Sequence, residues 1–472
     1  MPQPFLTCLQ DNLERLPAAP RYFVAYSGGR DSHVLLHAMA SLRGSLPGGL
    51  HAIHVNHGLS LQAAHWAGHC RSVCDALSVP LRVVTVDAGP ERGESPEAAA
   101  RHARYKAFSR LMATGDCLLT AHHQDDQAET LLLQLLRGSG PHGLAGMPFQ
   151  TPFSRGLHAR PLLDFTREQL GDYAAAQGLR WVEDPSNRDT GLRRNFIRHE
   201  IFPLLASQWP AAAETLSRSA AHCADAARLL DSLADDDLRQ VRGAQSQQLD
   251  IEALSKLDEI RQRNVIRYWI RSQGFPLPQQ SHLERLRHDV LQAAPDRMPL
   301  VCWADAEIRR YRDTLYLMRP LKDFDPKAVL PWDLRAPLQL PGGLGMLESA
   351  VEEGGGLALE AMRQDGVSVR FRQGGETCRP PGRGHAVALK KLFQEQGIPP
   401  WQRNRIPLLY VGEQLAAVVG VCNCEPFVVA DGVSGVVVRL RPSLISPFPG
   451  DGIAKLKFFQ FFPCNPAKSR FE

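Results

Sequence analysis

Ser27-Gly28-Gly29-Arg30-Asp31-Ser32 gathers hydroxyls, glycines and a carboxylate directly after the apolar run Tyr22 to Tyr26. Residues His33 to Leu42 then read as a helix with Val34, Leu35 and Ala38 on one face. A strand, a glycine turn and a helix N-terminus together make an anion cradle. Backbone N–H groups lack partners there, and the helix dipole favours negative charge. Gly28 and Gly29 allow the backbone to approach a phosphate closely, and Ser27 and Ser32 add hydroxyl donors. The Gly-x-x-x-x-Gly-Lys-Ser/Thr spacing of a Walker A loop is absent here. A plain capped turn would need only a Ser or an Asp.

His122-His123-Gln124-Asp125-Asp126-Gln127-Ala128-Glu129 opens another predicted helix. Spacings of i,i+3 and i,i+4 bring Asp125, Asp126 and Glu129 together on its surface. Carboxylates beside a phosphate cradle can hold Mg²⁺ or receive an ammonium group, and residue types leave both open. Acidic residues also favour a helix N-terminus, but this cluster exceeds what capping needs. Between these segments, Ser95-Pro96-Glu97 starts a helix carrying Arg101, Arg104 and Tyr105. Arginine suits bidentate binding of phosphate or carboxylate, although a solvated face explains this helix equally well. His54-Val55-Asn56-His57-Gly58-Leu59 follows an apolar run, where a nucleotide-binding sheet meets the base or ribose of its ligand.

Two further segments are basic. Trp181 to Asp189 makes an Asp-Pro and Ser-Asn turn, then runs into Arg193, Arg194, Asn195 and Arg198. These residues suit phosphate-backbone contacts and equally an interdomain loop. Arg383 to Arg403 reads as a basic helix closed by Gly397 and Pro399, with Lys390 and Lys391 off the face of Leu389, Leu392 and Phe393. That cationic side suits an RNA backbone.

The elements that must position these groups alternate strand and helix over the first ~205 residues. Phe23–Tyr26, Ala52–Val55, Leu81–Val86 and Cys117–Ala121 read as strands. The helices that follow the last three run from about Gln62 to Leu77, Pro96 to Met112 and Asp126 to Leu136. Repeated units of this kind imply a parallel sheet with helices on both faces, with ligands at the carboxyl ends of the strands. The glycine turn, His54–His57 and His122–Asp126 all fall at such ends, which argues for one active site. The fold class expected is therefore α/β, a Rossmann-like parallel sheet in residues 1–205. A mainly helical middle domain covers 206–320, with a β-hairpin around Arg312-Asp313, and a Pro- and Gly-rich linker covers 321–366. A small basic α+β domain covers 367–440, and 441–472, with Phe458 to Phe462, follows no assignable pattern.

Composition excludes several classes. With 44% hydrophobic and 22% charged residues over 472, the chain has the content of a globular protein with real cores. Its apolar runs are too short to span a bilayer, and Met1 to Cys8 lacks a signal-peptide layout, so a cytoplasmic protein is expected. A net charge of +4 permits nucleic-acid binding without demanding it. The ten cysteines form no paired C-x-x-C set, and Cys70, Cys74, Cys422 and Cys424 read mostly as buried thiols of a reducing compartment.

The Ser27–Ser32 loop resembles the S-G-G-x-D-S loop of the ATP pyrophosphatases, the PP-loop enzymes that split ATP into AMP and pyrophosphate. Together with His54–Leu59, Ser95–Tyr105, Thr120–Thr130, Trp181–Arg198 and the run to Trp401, it resembles the tRNA(Ile)-lysidine synthase family. That resemblance implies a C–N bond-forming ligase. ATP adenylates the C2 oxygen of the wobble cytidine of tRNA(Ile) with a CAU anticodon, and free L-lysine then displaces AMP. By this resemblance Ser27, Gly28, Gly29, Arg30, Asp31, Ser32, His54, Asn56 and His57 would hold ATP. Asp31, Arg101, Asp125, Asp126 and Glu129 would be catalytic, with Mg²⁺ at Asp31 and Asp126. Arg193, Arg194, Arg198, Arg383, Lys390, Lys391 and Arg403 would meet tRNA. A tRNA thiolase of the same superfamily would need a cysteine pair near the site, and a glutamine-dependent amide synthetase a glutaminase nucleophile; neither is apparent. A non-catalytic RNA-binding protein with a degenerate nucleotide site is the alternative from another class. Monomer and homodimer both stay open.

Overall fold

The computed structural model describes residues 2–56, 63–87, 89, 96–294, 297–358, 360, 362, 366–430 and 432–441. His57, Gly58, Leu59, Ser95 and Phe458 to Phe462 lie outside the described residues. The chain divides into two compact units, Met1–Leu230 and Asp231–Glu472.

In the first unit, β1 (Arg21–Ala25), β2 (Gly49–Asn56), β3 (Leu81–Thr85), β4 (Cys117–Leu119), β5 (Gln150–Phe153) and β6 (Gly156–Ala159) form one sheet in the order β3-β2-β1-β4-β6-β5. All neighbours are parallel except the β5–β6 hairpin at one edge. Helices α1 (Pro2–Glu14), α2 (Arg30–Ser41), α3 (Ala63–Ala76), α4 (Pro96–Leu111) and α5 (Gln124–Leu135) accompany it. Strand β1 alternates Tyr22 and Val24 into a core with Leu35, Leu36 and Met39 of α2, while Phe23 packs with Ile53, Phe108 and Leu118 on the other face. Burial on both faces is why the strand reads as an unbroken apolar run. The strand order reverses beside β1, whose neighbours are β2 and β4. A crevice therefore opens between the carboxyl ends of β1 and β4, where doubly wound sheets bind ligands.

The second unit holds a four-stranded sheet, Gln248–Asp250, Thr314–Met318, Ala306–Tyr311 and Leu300–Trp303, packed with the helix Glu259–Ser272. The expected hairpin turns at Arg312, whose φ is +53°. A five-stranded sheet runs Leu330–Trp332, Val367–Arg370, Leu408–Val411, Gln414–Val418 and Cys422–Asn423.

The expectation of a linker over 321–366 is corrected. Trp332, Leu340, Leu344 and Leu347 from that stretch are buried in the same core as Leu389, Phe393 and Leu408. Strand Gly345–Glu352 pairs from Met346 to Glu352 with Gly435–Arg441. The expected long basic helix is shorter too. Helix Leu389–Glu395 buries Leu389, Leu392 and Phe393, and Gly397 at φ +67° follows its end. Arg383 lies in a turn ahead of it.

Candidate active site

The glycine turn leaves β1 and enters α2 through two unlike glycines. Gly28 sits at φ +90°, and a Cβ there would come 2.9 Å from Val182 and 3.1 Å from the Cys70 sulfur, so backbone and space both require glycine. Gly29 caps the helix in extended conformation and faces open space apart from Ser27 Oγ at 3.5 Å. Ser32 Oγ donates to the Gly29 carbonyl (2.9 Å) and stands 3.0 Å from Ser27 Oγ. With the Ser32 proton used there, Ser27 must donate to Ser32. Both hydroxyls are thus spent inside the loop, which corrects the expectation of free hydroxyl donors and explains how the turn keeps its shape.

The turn lines a cavity of about 650 Å³ at the β1/β4 crevice. Of the nucleotide-binding residues expected, Ser27, Gly29, Asp31, Ser32, His54 and Asn56 line it. Gly28 and Arg30 do not, and Arg30 is paired with Asp31 (2.9 Å). His54 Nδ1 donates to the Tyr26 carbonyl at 3.0 Å, and burial lowers its pKa.

The acidic cluster is built differently from the expectation. His123 is fully buried, with Nε2 3.6 Å from Asp31 and 3.5 Å from Asp126, and Nδ1 3.5 Å from Asp125. These are ion-pair rather than hydrogen-bond distances. Burial pushes the imidazole down, but Asp125, Asp31 and Asp126 outweigh it and hold the pKa up at about 9. Asp31 is likewise held low by His123 and Arg30 against its own burial. Asp126 receives the His123 backbone N–H (3.1 Å) on one oxygen and Arg194 (2.8 Å) and Arg198 (3.0 Å) on the other. Glu129 receives Arg194 (2.9 Å) and Arg198 (2.6 and 2.9 Å). Asp125 accepts the backbone N–H of Arg167 at 2.9 Å.

Two expectations change accordingly. Arg194 and Arg198 neutralise buried carboxylates instead of facing an RNA backbone, while Arg193 is exposed. Asn195 ties the loop together through the carbonyls of Ser186 (2.9 Å) and Asp189 (3.0 Å). Asp125, Asp126 and Glu129 do not line the cavity. Asp126 has both oxygens engaged and does not fit a metal ligand, whereas the Asp31 side chain is 32% exposed and faces the cavity, so it does. Mg²⁺ commonly uses one or two protein carboxylates plus substrate phosphates.

The buried imidazolium makes stability depend on pH. The His123 pKa is about 9 in the folded chain against about 6.5 unfolded. Its contribution is complete below about 6.5 and is lost as pH rises through 9. Thermal unfolding should therefore occur at falling temperature between pH 7 and 10, and H123Q, which cannot titrate, should flatten that slope. Equal slopes in the two proteins would contradict this placement.

Sequence reasoning missed a second histidine system. Arg160 donates to His158 Nδ1 (3.2 Å), so His158 Nε2 carries the proton and donates to Thr120 Oγ1 (2.8 Å). Thr120 then donates to His122 Nδ1 at 2.8 Å. Burial pushes both imidazoles down to about 3, so they are neutral. The chain of donors runs one way and leaves His122 with an Nε2–H donor at the cavity wall.

On α4 the cavity side is the i,i+4,i+8 row Ala100, Arg104 and Phe108 together with Tyr105, while Arg101 is exposed and stacks on Tyr105 at 4.9 Å. The row was available in the sequence through the apolar spacing of Ala100 and Phe108. Arg104 makes no ion pair among the described residues, and burial lowers its pKa. Among the described residues no carboxylate is ion-paired with this cation at the wall, and Glu97 acts on it only through its field.

In the second unit Arg403 is buried, donating to the Ile398 carbonyl (2.8 Å) and Tyr311 hydroxyl (3.0 Å). It cannot present its charge to RNA, and that expectation is corrected. Arg383 pairs with Glu395 at 2.9 Å. Lys390 and Lys391 are exposed and make no ion pair among the described residues.

Three family profiles match along the chain: the PP-loop domain over residues 5–205, the TilS substrate binding domain over 249–316 and the TilS substrate C-terminal domain over 367–440. The tRNA(Ile)-lysidine synthase of Coxiella burnetii is 44% identical over 438 residues, which cover 93% of this chain and 95% of that protein. The same enzyme of Methylococcus capsulatus is 46% identical over 400 residues, covering 84% and 91%. The crystal structure of a TILS C-terminal domain aligns with 25% of this chain and 98% of its own at 21% identity, with a TM-score of 0.21.

Proposed function

The chain belongs to the tRNA(Ile)-lysidine synthase family, and from that premise we propose that it joins free L-lysine to C2 of the wobble cytidine of tRNA(Ile) bearing a CAU anticodon, at the expense of ATP. The observation that carries the reading is the cradle at the strand-order reversal, with Asp31 and Arg104 lining one cavity.

The C2 oxygen of cytidine is a poor leaving group. Attack by that oxygen on the α-phosphorus of ATP breaks the bond to pyrophosphate and leaves AMP on the oxygen. The ε-amino group of lysine then forms the C2–N bond, and the C2–O bond breaks with AMP departing. The residues support each need. The glycine turn and the first N–H groups of α2 suit the departing pyrophosphate, and Arg104 adds positive charge at the cavity wall. His122, held as an Nε2–H donor, can hydrogen-bond a phosphate or base oxygen without changing its charge. When bound, Mg²⁺ neutralises phosphate charge, and Asp31 is the carboxylate that can hold it. Among the described residues the anionic groups lining the cavity are Asp31 and Asp184, so these rather than Asp126 or Glu129 are available to a lysine ammonium. The reading puts the chain in the cytoplasm with tRNA and free lysine. Among the described residues no helix is long and apolar enough to cross a membrane.

R104A should lower the adenylation rate at low ATP by ~10²-fold, the scale of one lost transition-state donor, while R101A stays within about threefold. The reverse order would contradict the assigned helix face. On the RNA side, K390A with K391A should weaken tRNA binding and reduce the slope of log affinity against log salt by about 2, near 1 per lysine. An unaltered slope would remove these lysines from the interface. The function itself is tested by tRNA-dependent exchange of pyrophosphate into ATP. Exchange that needs cytidine at the wobble position is expected, and exchange indifferent to that base would overturn the substrate assignment.

A further inference from the structure

The second unit contains a sulfur cluster that the reaction does not use. Cys378 ends the strand Thr377–Cys378, which pairs with Val387–Ala388 just ahead of the helix carrying Lys390 and Lys391. Cys422 opens the edge strand Cys422–Asn423 of the five-stranded sheet, and Cys424 follows it. Cys378 and Cys424 form a disulfide, an exception to the expectation of mostly buried thiols. The third sulfur, Cys422 Sγ, lies 3.6 Å from Cys378 Sγ, and all three sulfurs lie within 4.8 Å of one another. Among the described residues no other group of metal-ligating side chains converges this way.

We propose that in the reduced chain Cys378, Cys422 and Cys424 form a three-thiolate site for a thiophilic divalent cation, with Zn²⁺ as the reference ion. Sulfurs bound to one Zn²⁺ at ~2.3 Å in tetrahedral array stand ~3.8 Å apart, close to the Cys378–Cys422 separation of 3.6 Å. Cys378 and Cys422 already stand at this spacing, while Cys424, bonded to Cys378 with their Cα atoms 5.7 Å apart, has to swing its sulfur away on reduction, a side-chain adjustment. A dithiol passes two electrons and two protons to the Cys378–Cys424 bond and leaves as its own disulfide. The cation then displaces one proton from each thiol, and water fills the fourth position. Closing the site ties together segments 44 and 46 residues apart. It would fix the strand pair that leads into the Lys390–Lys391 helix onto the sheet edge.

The test uses the full chain, reduced with a phosphine and titrated with Co²⁺. A thiolate-to-cobalt charge-transfer band should saturate at one cation per chain and be bleached by Zn²⁺. It should be absent when the disulfide is left intact, lost in C422S and kept in C8S, whose cysteine is exposed elsewhere. As a measurement on the unaltered chain, Zn²⁺ should protect these three thiols from alkylation, read peptide by peptide. No band in the reduced chain, a band unchanged in C422S, or equal alkylation with and without Zn²⁺ would overturn the proposal.

Discussion

Replacing Asp31 by asparagine (D31N) should reduce tRNA-dependent pyrophosphate release by ~10³-fold, about 4 kcal/mol of transition-state stabilisation, with tRNA affinity within about twofold of the parent. The size follows from what the carboxylate does. Asp31 lines the cavity, is held ionised by His123 and Arg30, and is the acidic residue of the cluster that still faces a ligand. Asparagine keeps the shape and removes the charge, so the fold survives while both the cation contact and the field at the phosphates are lost. The His123 imidazole loses one of its carboxylates, so its pKa should fall, which nuclear magnetic resonance of the ring can follow. Pyrophosphate release within tenfold of the parent would remove Asp31 from the adenylation site.

The second large effect is structural. The Glu129 carboxylate is 2% exposed and takes three of its contacts from Arg194 and Arg198. R198A leaves that carboxylate and Asp126 with one guanidinium between them. Removing one partner of a buried pair costs about 3–5 kcal/mol, because the remaining charge is stranded. For a unit of this size that corresponds to a fall of ~10 °C in its unfolding transition. R198K should rescue little of it. A lysine ammonium is a point charge and cannot span both Glu129 oxygens and Asp126 as the fork does. Calorimetry showing R198A within about 2 °C of the parent would contradict the pairing.

The sequence was legible where chemistry and element boundaries coincide. The glycine turn, His54 and the His122–Glu129 run each follow an apolar strand, so their placement at one sheet edge could be read before any distance was known. Partners far along the chain could not. Arg194 and Arg198 meet carboxylates 65 to 72 residues away, and nothing local distinguishes them from a solvated basic loop. Arg403 has the same difficulty, since its partners include Tyr311, 92 residues earlier. Strand Gly345–Glu352 looked like linker because its partner, Gly435–Arg441, lies almost ninety residues later. The tautomer chain from Arg160 to His122 needed three-dimensional donor geometry. Arg104 was closer to being readable, because Ala100 and Phe108 mark its face.

The central claim is tested most directly by incorporating radiolabelled lysine into a tRNA(Ile) transcript with a CAU anticodon, in the presence of ATP and Mg²⁺. The control transcript carries uridine at the wobble position. Lysine should enter the cytidine transcript alone, with one AMP and one pyrophosphate released per lysine. ATP cleavage to AMP with no lysine incorporated, or equal labelling of both transcripts, would contradict lysidine formation by this chain.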